Sequence, residues 1–405
     1  MHGGIIKKTF HITASAGANG SISPSGPRVV PVNGSIVFTI TPNSGYSVDS
    51  VYVDGVSDST AAANGTKTFS SVAANHTISV TFNLGVHLPF TDGFSGSSLS
   101  ANWTQGGTWT VSGSKASNAP ASGNNLLTNG GMEGTFVDGL APGWNTYQMT
   151  PTVAVESTIV YSGGSSQKIT TSLSNDGIRQ DITFTLGAWY TTGSFVYISS
   201  GGYAQALAYD GSVWHVVNTV YLGGLSGQWM PLFMTFYSHG SGGHYCPKLL
   251  SAGGGAQYFY ADSASTRIIM QSTLYATVQT GVTDVTVSDA LVVRAGTQGG
   301  VVISYSDPAN LVLAYYDNEV FGAKLDKCVA GTWSNVISQG AGFANYTANA
   351  IIQVIKSGTT YTLKYNGSTI GSPATISDAA IISNTKHGIF STFGLNTVGN
   401  FRVSR

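Results

Sequence analysis

Charge is what this sequence has least of. Only 9% of its 405 residues are Asp, Glu, Lys or Arg, and the formal net charge is -1. A chain without a basic stripe cannot release counterions from a phosphate backbone, so nucleic acid is excluded as a partner. The same poverty leaves nothing to attract an anionic membrane surface. No apolar run reaches the roughly eighteen residues of a membrane-spanning helix, and no membrane insertion is expected. Two cysteines, Cys246 and Cys328, are too few for a disulfide framework. The opening MHGGIIKKTF lacks the apolar core of a secretory signal. In a chain otherwise composed like an extracellular protein, that absence points to a processed fragment or to a virion protein released by lysis.

Glutamate is scarcer still, with only Glu133, Glu156 and Glu319, far apart in sequence. Retaining glycosidases need two close carboxylates, typically in an E-x-D-x-x-E strand on jelly-roll folds, and none of the three lies in such a motif. Asp307, Asp317 and Asp326 are the remaining candidates for an acid pair. Asp307, before Pro308, reads as a turn residue. No G-x-S-x-G elbow and no Ser/His/Asp arrangement is legible. The chain is therefore not expected to be an enzyme.

What is present is strand. Hydrophobic residues make up 42% of the chain and aromatics 11%, too many for disorder, and Gly-rich turns separate short alternating runs. This predicts an all-β protein: a small N-terminal β repeat domain, then a β-sandwich jelly roll split by a second, inserted β-sandwich jelly roll. The stretch NLLTNGGMEGTFVDGLAPGW, Asn125 to Trp144, reads as the opening of one domain in the middle of another. The divisions are 1–84 for the first unit, 88–122 and 271–405 for the host, and 123–270 for the guest. An insertion made at an exposed turn predicts that the host folds without its guest. Tyr365 to Ser368, YNGS, carries an Asn-Gly hairpin signal.

Three resemblances follow from these pieces. HITASAGANGSISPSG, ITPNSGYSVDSVYVDGV and ANHTISVTF resemble the internalin-B-type, or Listeria-Bacteroides, repeat of bacterial surface and phage proteins. It implies a spacer or interaction module, with Tyr46, Val51, Val53 and Phe69 in its core. VVISYSDPANLVLAYYD, TYTLKYNGSTIG and GNFRVSR resemble the laminin-G-like or concanavalin-like jelly roll, which specifies fold better than ligand. NLLTNGGMEG, the SGGSSQKIT strand and AQYFYADSAST resemble carbohydrate-binding modules of the family 4, 9 and 22 type. Met132 stands where that pattern has an aromatic residue, and Ala261-Asp262 where it has an acidic pair. HGSGGHYCPKLLSAGGG reads as an extra loop outside the pattern.

The third resemblance implies a structural calcium held by Glu133 and Asp262, whose hard oxygens suit the ion. The alternative has Glu133 capping a turn and Asp262 facing solvent. It also implies glycan binding through exposed rings that stack on sugar faces. The guest offers Trp144, Tyr147, Trp189, Tyr190, Tyr203, Tyr209, Trp214 and Trp229. Most are expected in the core, Trp229 among them. Trp214, near a turn with Tyr209 and Asp210 alongside, is the surface candidate. His239, His244 and Cys246 have zinc-ligand chemistry but no zinc spacing, and read as a Gly-rich loop that contains histidines.

The functional expectation is a non-catalytic glycan-binding adhesin, extracellular or on a virion surface, such as a phage tail fibre or capsid decoration. Its partners would be a polysaccharide or cell-surface glycan and other virion or surface proteins. The competing readings are a purely structural virion or surface-layer spacer and a polysaccharide-degrading enzyme.

Overall fold

The computed structural model describes residues 8–43, 45–148, 151–171, 173, 175–199, 203–218, 227–250, 257–318, 322–339 and 348–405. Nearly all regular structure in them is β, arranged in three units with their own cores.

The N-terminal unit packs a five-stranded sheet on a three-stranded one. In the larger, Thr9–Ala16 lies between Gly26–Pro31 and His76–Leu84, pairing parallel with the latter. Ile12, Phe38, Val51 and Ile78 fill the space between the sheets, and Phe38 meets Phe69 edge to face. Tyr46 and Val53 are only half-buried. One departure from an all-β unit is the helix Ser59–Asn64. Asp58 caps it by accepting the Ala61 N–H at 2.9 Å, and Gly65 ends it at φ 66°.

The host is a sandwich of seven and eight strands, with strands on both sides of the guest in sequence. Trp103–Gln105 pairs with Tyr275–Gln279, and Lys115–Ala119 pairs with Thr397–Ser404. Two contacts mark where the chain leaves and re-enters: Gly123 N–H donates to Ile268 O at 2.8 Å, and Met270 N–H to Ala121 O at 3.0 Å. The strand Thr360–Tyr365 turns directly into Ser368–Thr375 through Asn366 and Gly367, both at positive φ, as a two-residue hairpin requires.

The guest packs two five-stranded sheets. One runs Asn145–Tyr147, Gly177–Ile182, Gly243–Leu250, Tyr203–Tyr209, Trp214–Asn218. The other runs Thr152–Glu156, Ser166–Thr171, Gln257–Ile269, Trp189–Ile198, Trp229–Tyr237. Gly243–Leu250 corrects the sequence reading, which made it loop; residues 251–255 of that stretch lie outside the described residues. It is a central strand, and its pairing to Gly177–Ile182 passes from Gly177↔Lys248 to Gln180↔Tyr245, skipping Pro247. The ladder steps around the residue with no N–H, which is why a proline can stand there.

Guest and host share a fourth apolar cluster. Trp189 and Ile269 of the guest pack with Tyr275, Leu313, Tyr315 and Phe390 of the host. The host strand Asn310–Asp317 is thereby buried on both faces: Val312, Ala314 and Tyr316 point into the host core, Leu311, Leu313 and Tyr315 toward the guest. A polar tie accompanies it. Thr235 Oγ1 donates to Gln298 Oε1 at 2.6 Å, and Gln298 Nε2 donates back to Thr235 O at 2.8 Å. Removing the guest would leave that apolar face bare.

Candidate functional site

Tyr209 ends one guest strand and Trp214 begins the next, directly opposite across the hairpin. Their rings stack at 4.3 Å between centroids and 29° between planes. Trp214 is 49% exposed, unusual for the largest side chain in an ordered hairpin, and the His244 ring meets it edge-on at 5.6 Å. Asp210 differs from its place in the sequence reading, because it is wholly buried. Its Oδ1 accepts the N–H groups of Ser212 and Val213, at 2.8 and 2.7 Å, and its Oδ2 that of His239 at 2.7 Å. Burial pushes its carboxyl up, but the amides of Val213, His239 and Ser212 outweigh this and the net direction is down. Asp210 thus holds the hairpin that presents Trp214. Of the other guest aromatics, Trp144, Tyr147, Trp189 and Tyr190 are buried and Tyr203 is exposed. Trp229 is half-buried against Tyr161 and Tyr197, on the surface side of its strand.

Trp214 stands at one wall of a cleft of about 430 Å³ between guest and host. The guest contributes Trp189, Trp214, Tyr237 and His239; the host contributes Tyr315, Trp333, Asp317, Lys324, Asp326 and Asn335. Trp189, Tyr237 and Trp333 meet edge to face at 5.9 to 6.3 Å between centroids. Beside them runs a polar row built by strand register, since Asp326 lies opposite Leu313, Lys324 opposite Tyr315, and Gly322 opposite Asp317. Side chains two apart on a strand share a face, so Asp326, Lys324 and Asp317 line up. Lys324 Nζ donates to Asp317 Oδ2 at 2.7 Å. Tyr315 O–H and Asn335 Nδ2 donate to the two oxygens of Asp326, each at 2.6 Å. Burial raises the Asp326 carboxyl despite those two donors.

The indole N–H groups of Trp189 and Trp333 have no acceptor among the described residues, although both atoms are out of solvent. A buried donor left unpaired costs about 1–3 kcal/mol. Flat rings, planar amides and carboxylates are what a hydroxyl-rich ring would use. Sequence reading missed the host half of this cleft. In the sequence Asp317 and Asp326 stand out only as candidates for an acid pair, and Trp333 carries no signal at all.

Glu133 and Asp262 both grip the turn at 161–165. Glu133 Oε1 accepts the N–H of Gly164 and Ser165, at 2.7 and 3.2 Å, and Oε2 the Ser165 hydroxyl at 3.1 Å. Asp262 Oδ2 accepts the N–H of Tyr161 and Ser162, both at 3.0 Å, and Oδ1 the N–H of Ser263 at 2.5 Å and its hydroxyl at 3.4 Å. The amide of Gly164 leads in holding Glu133 below the usual carboxylate range, while burial raises Asp262. A carboxylate offers about four lone-pair sites, and here nearly all face hydrogens. This donor set does not fit a resident calcium. It fits a clamp, which agrees with a turn-capping Glu133 but places Asp262 in the interior and not at the surface.

Among the described residues, His239, His244 and Cys246 do not gather. Cys246 is fully buried, as is Cys328, and both are free thiols. His244 turns to the rings of Tyr209 and Trp214. His239 instead joins Asp210 and His215, whose ligand-type atoms all lie within 4.8 Å of one another. Glu319 lies outside the described residues. Asp307 accepts the Ala309 N–H at 2.8 Å, the bond of a turn residue.

No known protein family matches the sequence, and no curated protein does. Solved structures similar to this chain include carbohydrate-binding modules. The C-terminal family 22 module of Clostridium thermocellum Xyn10B is 14% identical over 36% of this chain and 95% of its own, with a TM-score of 0.28. The tandem family 22 modules of Paenibacillus barcinonensis Xyn10C are 11% identical over 71% of this chain and 99% of theirs, at 0.31. The CBM66 module from Bacillus subtilis is 14% identical over 32% and 78%, at 0.24. Overlaps this slight carry no argument about ligand, and no family match speaks to the internalin-B-type or laminin-G-like resemblance. The functional reading rests on the cleft.

Proposed function

We propose that this chain is a non-catalytic glycan-binding protein and that its ligand, a neutral stretch of polysaccharide or cell-surface glycan, lies in the cleft between guest and host. The observation that carries the reading is the pairing of exposed Trp214 with the Trp333 wall and the row Asp317, Lys324, Asp326 across one groove. Rings supply stacking surface, and the row supplies acceptors and a donor for hydroxyls. Asp317 and Lys324 neutralise one another, so the groove has little net attraction for acidic sugars. One or two stacked rings in a shallow groove give a dissociation constant on the order of 10⁻⁴ to 10⁻³ M.

Adhesion at that strength requires many copies, because linking sites raises avidity about 10² to 10⁴ without a new contact. Display on a virion, as a tail fibre or capsid decoration, or on another extracellular surface, would provide them and is part of the proposal. Isothermal titration of the full chain with neutral oligosaccharides tests it. Trp214→Ala and Trp333→Ala should each weaken binding at least tenfold. Binding unchanged in both would remove the cleft from the site, and no binding to any neutral glycan would favour the structural spacer.

A polysaccharide-degrading activity is the second reading, favoured by one observation. Asp326, raised by burial, and Asp317, held beside a lysine, are two carboxyls in one groove with different surroundings. Release of reducing ends by the native chain, abolished in Asp326→Asn, would establish it over the non-catalytic one.

A further inference from the structure

Asp210, His215 and His239 come from three separate places: the hairpin tip after Tyr203–Tyr209, the strand Trp214–Asn218, and the turn following Trp229–Tyr237. Folding brings His215 Nε2 to 3.3 Å and His239 Nδ1 to 4.0 Å from the same oxygen, Asp210 Oδ2. We propose that these three atoms form a binding site for one divalent transition-metal ion at the edge of the cleft.

The chemistry of the donors selects the ion. Two imidazoles and one carboxylate suit zinc, cobalt, nickel or copper, whereas calcium and magnesium take oxygen alone. The geometry is close to what such an ion needs. Two ligand atoms about 2.1 Å from a tetrahedral zinc stand about 3.4 Å apart. The Asp210 to His215 separation of 3.3 Å already matches. Closing the rest falls to His239, whose side chain is 54% exposed and whose neighbour is Gly240.

The surroundings orient the ligands. Asp210 Oδ1 is occupied by the amides of Ser212 and Val213, and Oδ2 takes one further amide and the 3.3 Å contact with His215 Nε2, where the ion would replace the proton the two share. Hydrogen bonds behind a ligating carboxylate fix its direction, as they do in metal sites generally. The His215 ring lies flat on Phe236, 3.9 Å between centroids and 16° between planes. His239 stands edge-on to Tyr237 at 5.4 Å. His215 and His239 both line the cleft, so three protein ligands leave the fourth position on that side, open to water or to an oxygen of a bound molecule. None of this depends on the glycan reading, since the site is complete within the guest.

The test uses the full chain, stripped with EDTA, dialysed, and titrated with Zn²⁺ by calorimetry and with Co²⁺ by visible absorption. Expected is saturation at one ion per chain, with cobalt bands of a four-coordinate site. His239→Ala should weaken binding at least tenfold, and its exposure makes the substitution safe for the fold. His244→Ala, which removes a nearby imidazole outside the set, should change affinity less than twofold. No saturable binding, or equal affinity in His239→Ala and the native chain, would overturn the proposal. Loss in His244→Ala with retention in His239→Ala would overturn it equally, by moving the ion elsewhere.

Discussion

The indole of Trp189, in the guest, meets the indole of Trp333, in the host, edge to face at 6.3 Å and 85°. One contact therefore serves two purposes, closing the apolar cluster that joins the sandwiches and forming the floor of the cleft between them. Trp189→Ala should cost about 3–5 kcal/mol, the range for emptying a large aromatic site. Urea unfolding followed by tryptophan fluorescence measures it. A cost below about 1 kcal/mol would mean that the interface is not packed as described.

Deleting residues 123–270 and joining the ends would uncover Leu311, Leu313, Tyr315 and Phe390 on the outer face of the host sheet. Exposed apolar patches of that kind associate. The deletion protein is expected to bind a hydrophobic dye and to self-associate, and both effects should be relieved by Leu313→Ser combined with Tyr315→Ser. A monomeric, dye-negative deletion protein with cooperative unfolding would restore the picture of an independent host.

The turn at 161–165 should be held by carboxylates and not by an ion. Melting curves in calcium and in chelator are expected to superimpose, and Glu133→Gln should cost about 1 kcal/mol in either. A calcium-dependent rise in Tm that Glu133→Gln abolishes would reinstate the ion. The two carboxylates respond to pH with opposite signs. Glu133, lowered by the Gly164 amide, contributes stability above about pH 4.3 that is lost as pH falls through its folded value. Asp262, raised by burial, favours the fold most below about pH 3.9 and less as pH rises through its folded value.

His387 is fully buried in the host, where Nδ1 accepts the Ser304 N–H at 3.2 Å and Nε2 lies 3.1 Å from Val282 O. Burial lowers its pKa to about 4, with the nearby Lys356 acting in the same direction. The unfolded chain, with an ordinary value near 6.5, binds the proton first, so stability present above about pH 6.5 is lost as pH falls toward about 4. The loss should total about 3 kcal/mol across that window. Denaturant titrations at each pH measure it, and His387→Gln should flatten the slope. An unchanged slope would show that other groups carry the acid sensitivity.

The sequence alone determined the class and most of the strands. Period-two alternation, Gly-rich turns and the Asn366-Gly367 hairpin are local signals, and local sterics decide them. NLVLAYYD, read as one more strand of the jelly roll, is in fact covered on both faces, which its lack of alternation reflects. The site was legible only in part. Trp214 stood out because a tryptophan beside a turn is conspicuous. Asp210 looked like its surface companion, because nothing local distinguishes an aspartate that points outward from one that turns inward to bind amides. Gly243–Leu250 was hidden by Pro247, whose fit depends on the ladder to a neighbouring strand lapsing at Cys246 and Pro247 and resuming in the same register. The cleft, the Trp189 to Trp333 contact and the arrival of His239 beside Asp210 and His215, which share one hairpin, belong to tertiary structure alone. Each joins residues far apart in sequence, and only the packing of one sheet on another fixes the distance between them.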